Sequence, residues 1–163
     1  MDPYYEHLKQ QGFRILSLAH SKDQITSPAN MELLGHVVLS DEIKENTKET
    51  FDYFESQGVE VKIISGDNHV AVYGVARKAG FKEEARAIDM TKVSDENFER
   101  VVLEHDIFGR VTPEQKEKMV TVLQNAGKTV AMSGDGVNDV LALKKADISF
   151  TMNGACWDRK SVV

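Results

Sequence analysis

The chain has 163 residues, of which 41% are hydrophobic and 28% charged, and it contains 3 prolines and 11 glycines. This composition is typical of one globular domain and excludes a disordered or collagen-like chain. The net charge of -6 without a basic cluster excludes a nucleic-acid-binding surface, and no apolar run approaches the ~20 residues that a membrane-spanning helix needs.

Short β-rich runs alternate with helical patterns, which predicts an α/β fold: a mainly parallel sheet with helices on both faces. Several of the β-rich runs are almost continuously apolar, as is typical of strands that helices cover on both sides. The predicted strands span residues 14–19, 32–39, 61–65, 85–90, 106–111, 129–133 and 146–150. The segment 21–31 mixes Ser, Asp, Pro and Asn without periodicity, so a loop is expected there.

Helical periodicity predicts helices over residues 42–57 and 70–79, each followed by a glycine. The run Ser94-Asp95-Glu96 can cap a third helix that ends at Leu103. A fourth helix is indicated by a capping box, Thr112-Pro113-Glu114-Gln115, with proline at the first helical position. We expect this fourth helix to bury Met119, Val120, Leu123 and Ala126 and to end before a glycine.

The segment most informative about chemistry follows the strand 129–133. It reads Gly134-Asp135-Gly136-Val137-Asn138-Asp139, at the carboxyl end of a strand, where parallel α/β sheets bind ligands. Carboxylate oxygens suit Mg²⁺, so Asp135 and Asp139 are candidate metal ligands, and the Asn138 amide can donate to a phosphate oxygen. A helix N-cap would account for one such residue, but not for two carboxylates and an amide.

Two further strand ends carry groups that suit a phosphate. Ser65-Gly66-Asp67 follows a strand and precedes a helix, so its hydroxyl and backbone N–H groups can bind an anion, although this tripeptide is also common in turns. Lys116 lies in the first turn of its helix, where the helix dipole opposes a cation that has no anionic partner. The alternative for Lys116 is a solvated surface lysine.

The order and spacing of these motifs resemble the haloacid dehalogenase superfamily, and more closely the phosphorylation domain of P-type cation-transporting ATPases. The family motifs TGD, V-[ST]-P-x-x-K and GDGxND are matched by residues 65–67, 111–116 and 134–139. The resemblance implies that Asp135 binds Mg²⁺, that Lys116 neutralises phosphate charge, and that Asp139 holds Lys116. It also implies phosphate contacts from Ser65, Gly66, Asp67 and Asn138, with ATP as the phosphoryl donor of the intact family.

The resemblance further implies a domain division. Residues 1–31 look like the end of a nucleotide-binding domain and a linker, residues 32–152 like the phosphorylation domain, and residues 153–163 like an atypical tail. Asp41 occupies the position of the family's nucleotide hinge. The one cysteine, Cys156, cannot form an internal disulfide, which predicts a cytoplasmic location, as for the cytoplasmic portion of a membrane pump.

The sequence contains no DKTGT motif, whose aspartate attacks the γ-phosphate of ATP in this family. The leading interpretation is therefore a soluble fragment of a cation-transporting P-type ATPase that binds Mg²⁺ and phosphoryl groups but is inactive alone, with the rest of the pump as its partner. The alternatives are a haloacid dehalogenase-like phosphatase, a non-catalytic Mg²⁺- and phosphate-binding module, and a receiver-type domain, whose acidic pair would come first in the chain.

The missing nucleophile also has a structural consequence. Its strand would lie between the strands that end at Ser65 and Ser133, and its loss leaves backbone groups without partners. We expect the gap to be closed by rearrangement, by insertion of the strand 32–39, or by strand exchange with a second copy in a homodimer.

Overall fold

The computed structural model describes residues 3–21, 31–40, 42–134 and 137–151. The chain forms two compact units. The first comprises Met1–Val61 and Val70–Glu84, and the second comprises Lys62–His69 and Ala85–Val163.

The first unit contains an antiparallel pair of strands. Helix α1 (Pro3–Gln10) precedes β1 (Arg14–His20), which pairs with β2 (Glu32–Leu39). Helix α2 (Thr47–Ser56) and most of α3 (His69–Lys78) complete this unit. The insertion of strand 32–39 between the strands ending at Ser65 and Ser133 is therefore wrong for the described residues, because β2 bonds to β1 along its length.

The second unit contains parallel strands in two separate sheets. The first sheet has the order β3-β5-β4, with β3 at Ile63–Ile64, β5 at Ile107–Gly109 and β4 at Ala87–Asp89. The second sheet pairs β6 (Ala131–Gly134) with β7 (Ile148–Thr151). Among the described strands, β3 and β6 each have one partner, which does not contradict the predicted absence of a strand between them. The α/β fold with parallel strands is confirmed.

Helices α4 (Asp95–Glu104), α5 (Pro113–Asn125) and α6 (Val140–Lys145) belong to the second unit, together with single 3₁₀ turns at Met90–Lys92 and Val137–Asp139. The capping box of α5 is present as predicted: the Thr112 hydroxyl accepts the Gln115 N–H, and the Gln115 side chain accepts the Thr112 N–H. None of the described helices is long and apolar enough to cross a bilayer.

Helix α5 joins the two apolar clusters of the second unit. Its residues Met119 and Val122 pack in a cluster with Phe108 of β5, while Val120 packs in a cluster with Met132 of β6. Burial of each such side chain contributes about 1.5–3 kcal/mol. The expected burial of Met119 and Val120 is confirmed and Leu123 is half-buried, but Ala126 is exposed, because α5 ends at Asn125.

Several elements differ in length from their predictions. Helix α2 begins at Thr47 and not at residue 42, and α1 has no counterpart among the predicted elements. Strand β3 is reduced from residues 61–65 to two residues, because its pairing with β5 ends where the loop at Ser65 begins. The other strands of the second unit also shorten to the residues that have a partner.

Candidate functional site

The loop after β3 carries Ser65, the first residue in the chain that is predicted to bind phosphate. Ser65 is half-buried, and its hydroxyl oxygen accepts the backbone N–H of Asp67 at 3.1 Å. Gly66 is exposed, and a side chain placed on it would meet no atom within 4 Å. The backbone at Gly66 is therefore open to the close approach of a ligand.

The Ser65 loop is hydrogen-bonded to the loop that follows β5. Arg110 donates its backbone N–H to the Asp67 carbonyl at 2.8 Å, and Val111 donates its N–H to the Ser65 carbonyl at 3.0 Å. We call this contact the loop junction, formed by residues 65–67 and 109–111. The next residue, Thr112, is the N-cap of α5, so the junction sets the Ser65 loop beside the start of the helix that carries Lys116.

Lys116 and Asp139 form a buried ion pair. The Lys116 Nζ atom lies 2.5 Å from Asp139 Oδ1, and the two residues are 8% and 7% exposed. A charge-assisted hydrogen bond of this kind offsets part of the cost of removing both charges from water. Gly134 at the end of β6 makes room for the carboxylate, since a Cβ there would lie 2.7 Å from the Asp139 Cβ.

The structure thus brings some of the predicted residues together. Lys116 contacts Asp139 directly, and the loop of Ser65 contacts the loop that leads to Lys116. Asn138 is exposed in the 3₁₀ turn beside Asp139. Asp135 and Asp41 lie outside the described residues. The roles assigned to all of these residues stay predictions.

A second charged cluster adjoins the loop junction. The Asp89 carboxylate at the end of β4 is 5% exposed and accepts the Thr91 hydroxyl at 2.7 Å and the Thr91 N–H at 3.1 Å. Arg110 Nη1 lies 3.3 Å from Asp89 Oδ2, and His69 Nδ1 lies 3.7 Å from the same oxygen. The Thr91 hydroxyl is the main cause that holds the pKa of Asp89 below its usual range, against the opposing effect of burial.

The donor chemistry of Asp139, one of the two predicted ligands, suits a magnesium ion. Asp139 offers a buried carboxylate, with Oδ1 on Lys116 and its second oxygen beside the end of β6. Hard oxygen ligands of this type are those that Mg²⁺ prefers. The described residues contain no cluster of three or more His, Cys, Asp or Glu side chains able to hold a metal ion. Of the two predicted Mg²⁺ ligands, Asp139 lies within the described residues and Asp135 does not.

Known proteins resemble this chain over nearly its whole length. A sequence profile of the haloacid dehalogenase-like hydrolases matches residues 4–147. The chain is 43% identical over 148 residues to the probable cation-transporting ATPase exp7 of Streptococcus pneumoniae. The aligned region covers 88% of this chain and 19% of that protein. It is 43% identical over 150 residues to the calcium-transporting ATPase CtpE of Mycobacterium bovis. The aligned region covers 90% of this chain and 19% of CtpE.

A more distant relative is the magnesium-transporting ATPase, P-type 1, of Escherichia coli, with 30% identity over 157 residues, 91% of this chain and 18% of that protein. The chain spans about a fifth of the length of these relatives. The resemblance to P-type cation-transporting ATPases, predicted from three short motifs, is confirmed. With a profile match over residues 4–147 and parallel α/β strands, the chain belongs to the haloacid dehalogenase-like hydrolase family.

Proposed function

We propose that this chain is part of the phosphorylation domain of a cation-transporting P-type ATPase and that it binds Mg²⁺ and a phosphoryl group. The observation that carries the proposal is the buried Lys116–Asp139 pair near the start of α5, a helix that directly follows the loop bonded to the Ser65 loop. A cation in the first turn of a helix is unfavourable unless an anion accompanies it. Keeping Lys116 there provides positive charge where a phosphoryl group would enter.

Each residue of the proposed site has a distinct task. Lys116 neutralises phosphate charge, and Asp139 holds its ammonium group in place. The Ser65 hydroxyl, the backbone of Gly66 and Asp67, and the Asn138 amide bind phosphate oxygens. Asp135 and Asp139 would hold Mg²⁺, which when bound neutralises charge on the phosphoryl oxygens. These contributions position a phosphoryl group and require no covalent chemistry from the residues themselves.

In this proposal the chain by itself does not transfer phosphate, since it lacks the DKTGT aspartate that forms the aspartyl phosphate in its family. The nucleophile would come from the remainder of a membrane pump, with residues 32–152 on its cytoplasmic side and residues 1–31 leading from its nucleotide-binding domain. The edges of β3 and β6, each with one partner among the described strands, support docking of a further strand. Alternatively, a second copy of the chain would supply the further strand by strand exchange.

A titration followed by nuclear magnetic resonance tests ligand binding. We expect Mg²⁺ to shift the amide signals of Asn138 and Asp139, and inorganic phosphate added with Mg²⁺ to shift those of Ser65 and Asp67. Asp135→Ala should abolish the Mg²⁺ effect. Asp95→Ala is the matched control, because it removes a carboxylate that pairs with an exposed lysine of α5. Binding that is equal in both variants, or absent from the unmodified chain, contradicts the proposal.

Two assays separate this function from the alternatives. We expect no turnover of p-nitrophenyl phosphate with Mg²⁺, whereas a phosphatase would hydrolyse it. We also expect no phosphate incorporation from γ-labelled ATP. Asp41 follows an apolar predicted strand and is the aspartate best placed to act as an alternative nucleophile. Incorporation that Asp41→Asn abolishes would show that the chain has its own nucleophile and would overturn the proposed inactivity.

A further inference from the structure

The loop junction contains a backbone conformation that its sequence does not favour. Arg110 has φ 54°, the single positive φ of a non-glycine residue in the part of the chain that the structure describes. Side chains make this region unfavourable for L-residues, so such a conformation persists where surrounding contacts fix it. The Arg110 backbone has one such contact, its N–H bond to Asp67, and its side chain has another, the ion pair with Asp89.

The residue before Arg110 is equally constrained. A Cβ on Gly109 would lie 2.3 Å from the backbone nitrogen of His69, so the end of β5 passes against the first residue of α3 without space for a side chain. His69 and Arg110 therefore both lie beside Gly109. The Asp89 Oδ2 atom lies within 3.7 Å of a side-chain nitrogen of each.

The register of the sheet places Asp89 at this point. Asp89 pairs with Gly109 in the parallel β4–β5 ladder, and Thr91 binds its other carboxylate oxygen, Oδ1. The carboxylate is thus held in one orientation, with Oδ2 directed towards Arg110 and His69. The His69 Nδ1 atom is buried and has no hydrogen-bond partner among the described residues. The Asp89 carboxylate therefore anchors the Arg110 side chain and lies beside His69.

We propose that Asp89 is a positioning residue of the phosphate site: it anchors Arg110 and thereby fixes the contact between the Ser65 loop and the loop that leads to Lys116. The phosphate part of this inference rests on the proposed function. Asp89 touches no ligand; it acts through the Arg110 side chain on two backbone hydrogen bonds, those from Arg110 to Asp67 and from Val111 to Ser65. Asp89 also balances the charge of Arg110.

Native-state hydrogen exchange tests the anchoring without any ligand. Asp89→Asn keeps the shape of the side chain and an acceptor for Thr91, but it removes the charge. We expect the Arg110 and Val111 amides to exchange about tenfold faster in this variant, because loss of a hydrogen bond to a charged group lowers the free energy of local opening. The amide of Val130, which donates to Asp147, should keep its rate. A uniform acceleration of all amides, or no change, overturns the proposal.

A second variant shows whether Asp89 acts through Arg110. Arg110→Met removes the guanidinium group from a half-exposed side chain, so the fold should tolerate it. The exchange rates of Val111 should rise as in Asp89→Asn, and the double variant should add no further increase. Additive effects would mean that the two residues act separately, and the positioning role would be wrong.

Phosphate binding provides the functional readout. With Mg²⁺ present, we expect Asp89→Asn to weaken the binding of inorganic phosphate about tenfold, because orientation is lost, whereas Asp95→Asn leaves it unchanged. If the unmodified chain binds no phosphate, the proposed function fails, while the exchange rates still decide whether Asp89 anchors the junction. If phosphate binds equally well to Asp89→Asn, the positioning role at the site is refuted.

Discussion

The ion pair between Lys116 and Asp139 gives the sharpest stability prediction. Lys116→Met keeps an apolar chain of similar length but deletes the ammonium group, which leaves a 7% exposed carboxylate without its partner. Removal of one partner of a buried pair costs roughly 3–5 kcal/mol. We expect about 3 kcal/mol, because neither side chain is completely sealed from water. For a protein of this length, that loss lowers the melting temperature by about 6–12 °C.

Urea unfolding measures the free energy of unfolding, with two variants as controls. Lys118→Met lies on the same helix and breaks a 2.7 Å pair with Asp95, whose side chain is 95% exposed, so its effect should be much smaller. The double variant Lys116→Met with Asp139→Asn removes the unpaired charge and should recover more than half of the loss. Equal losses for the Lys116 and Lys118 variants, or no recovery in the double variant, would refute the electrostatic reasoning.

Two further predictions concern the second unit. Gly109→Ala should destabilise the protein by at least about 2 kcal/mol in urea unfolding, because the added Cβ would meet the His69 backbone at 2.3 Å, whereas Gly66→Ala should have little effect on stability. Asp147 accepts the Val130 N–H at 2.8 Å, and that bond is the main cause that lowers the pKa of its carboxyl. Asp147→Asn should therefore lower the urea midpoint at pH 7. The advantage of the unmodified chain should begin to fall near about pH 4, where the carboxyl of the unfolded chain takes up a proton, and should vanish only below the lowered pKa of the folded chain.

The elements that the sequence predicts best are those with local causes. The start of α5 follows from contacts between Thr112 and Gln115, three residues apart, so four consecutive residues are sufficient to predict it. The length of β3 depends instead on its partner: it ends after Ile64, where its ladder with β5 ends. Helix α1 was missed because eight residues with Tyr5 and Leu8 as an apolar pair are too short for periodicity to be recognised.

The same distinction applies to the site. Lys116 was recognised as needing an anion because its position in the first turn of a helix can be seen in the sequence, and Asp139 belongs to a motif of adjacent residues. The Asp89 cluster was missed. Asp89 meets Arg110, 21 residues away, only because the parallel register of β4 and β5 sets it beside Gly109. No pattern within either segment indicates that register, so the anchor of the loop junction is visible only in the folded chain.

The position of α5 bears on the proposed phosphate site, because no described strand lies between β3 and β6. In ordinary α/β sheets, strand pairing sets the distances between loops at the carboxyl edge. Here Met119 and Val122 fix α5 to the cluster of the β3-β5-β4 sheet, and Val120 fixes it to the cluster of β6. Lys116 lies one turn earlier on the same helix. The placement of Lys116 therefore depends on helix packing, so under the proposed function the binding of phosphate would not depend on the strand that supplies the nucleophile.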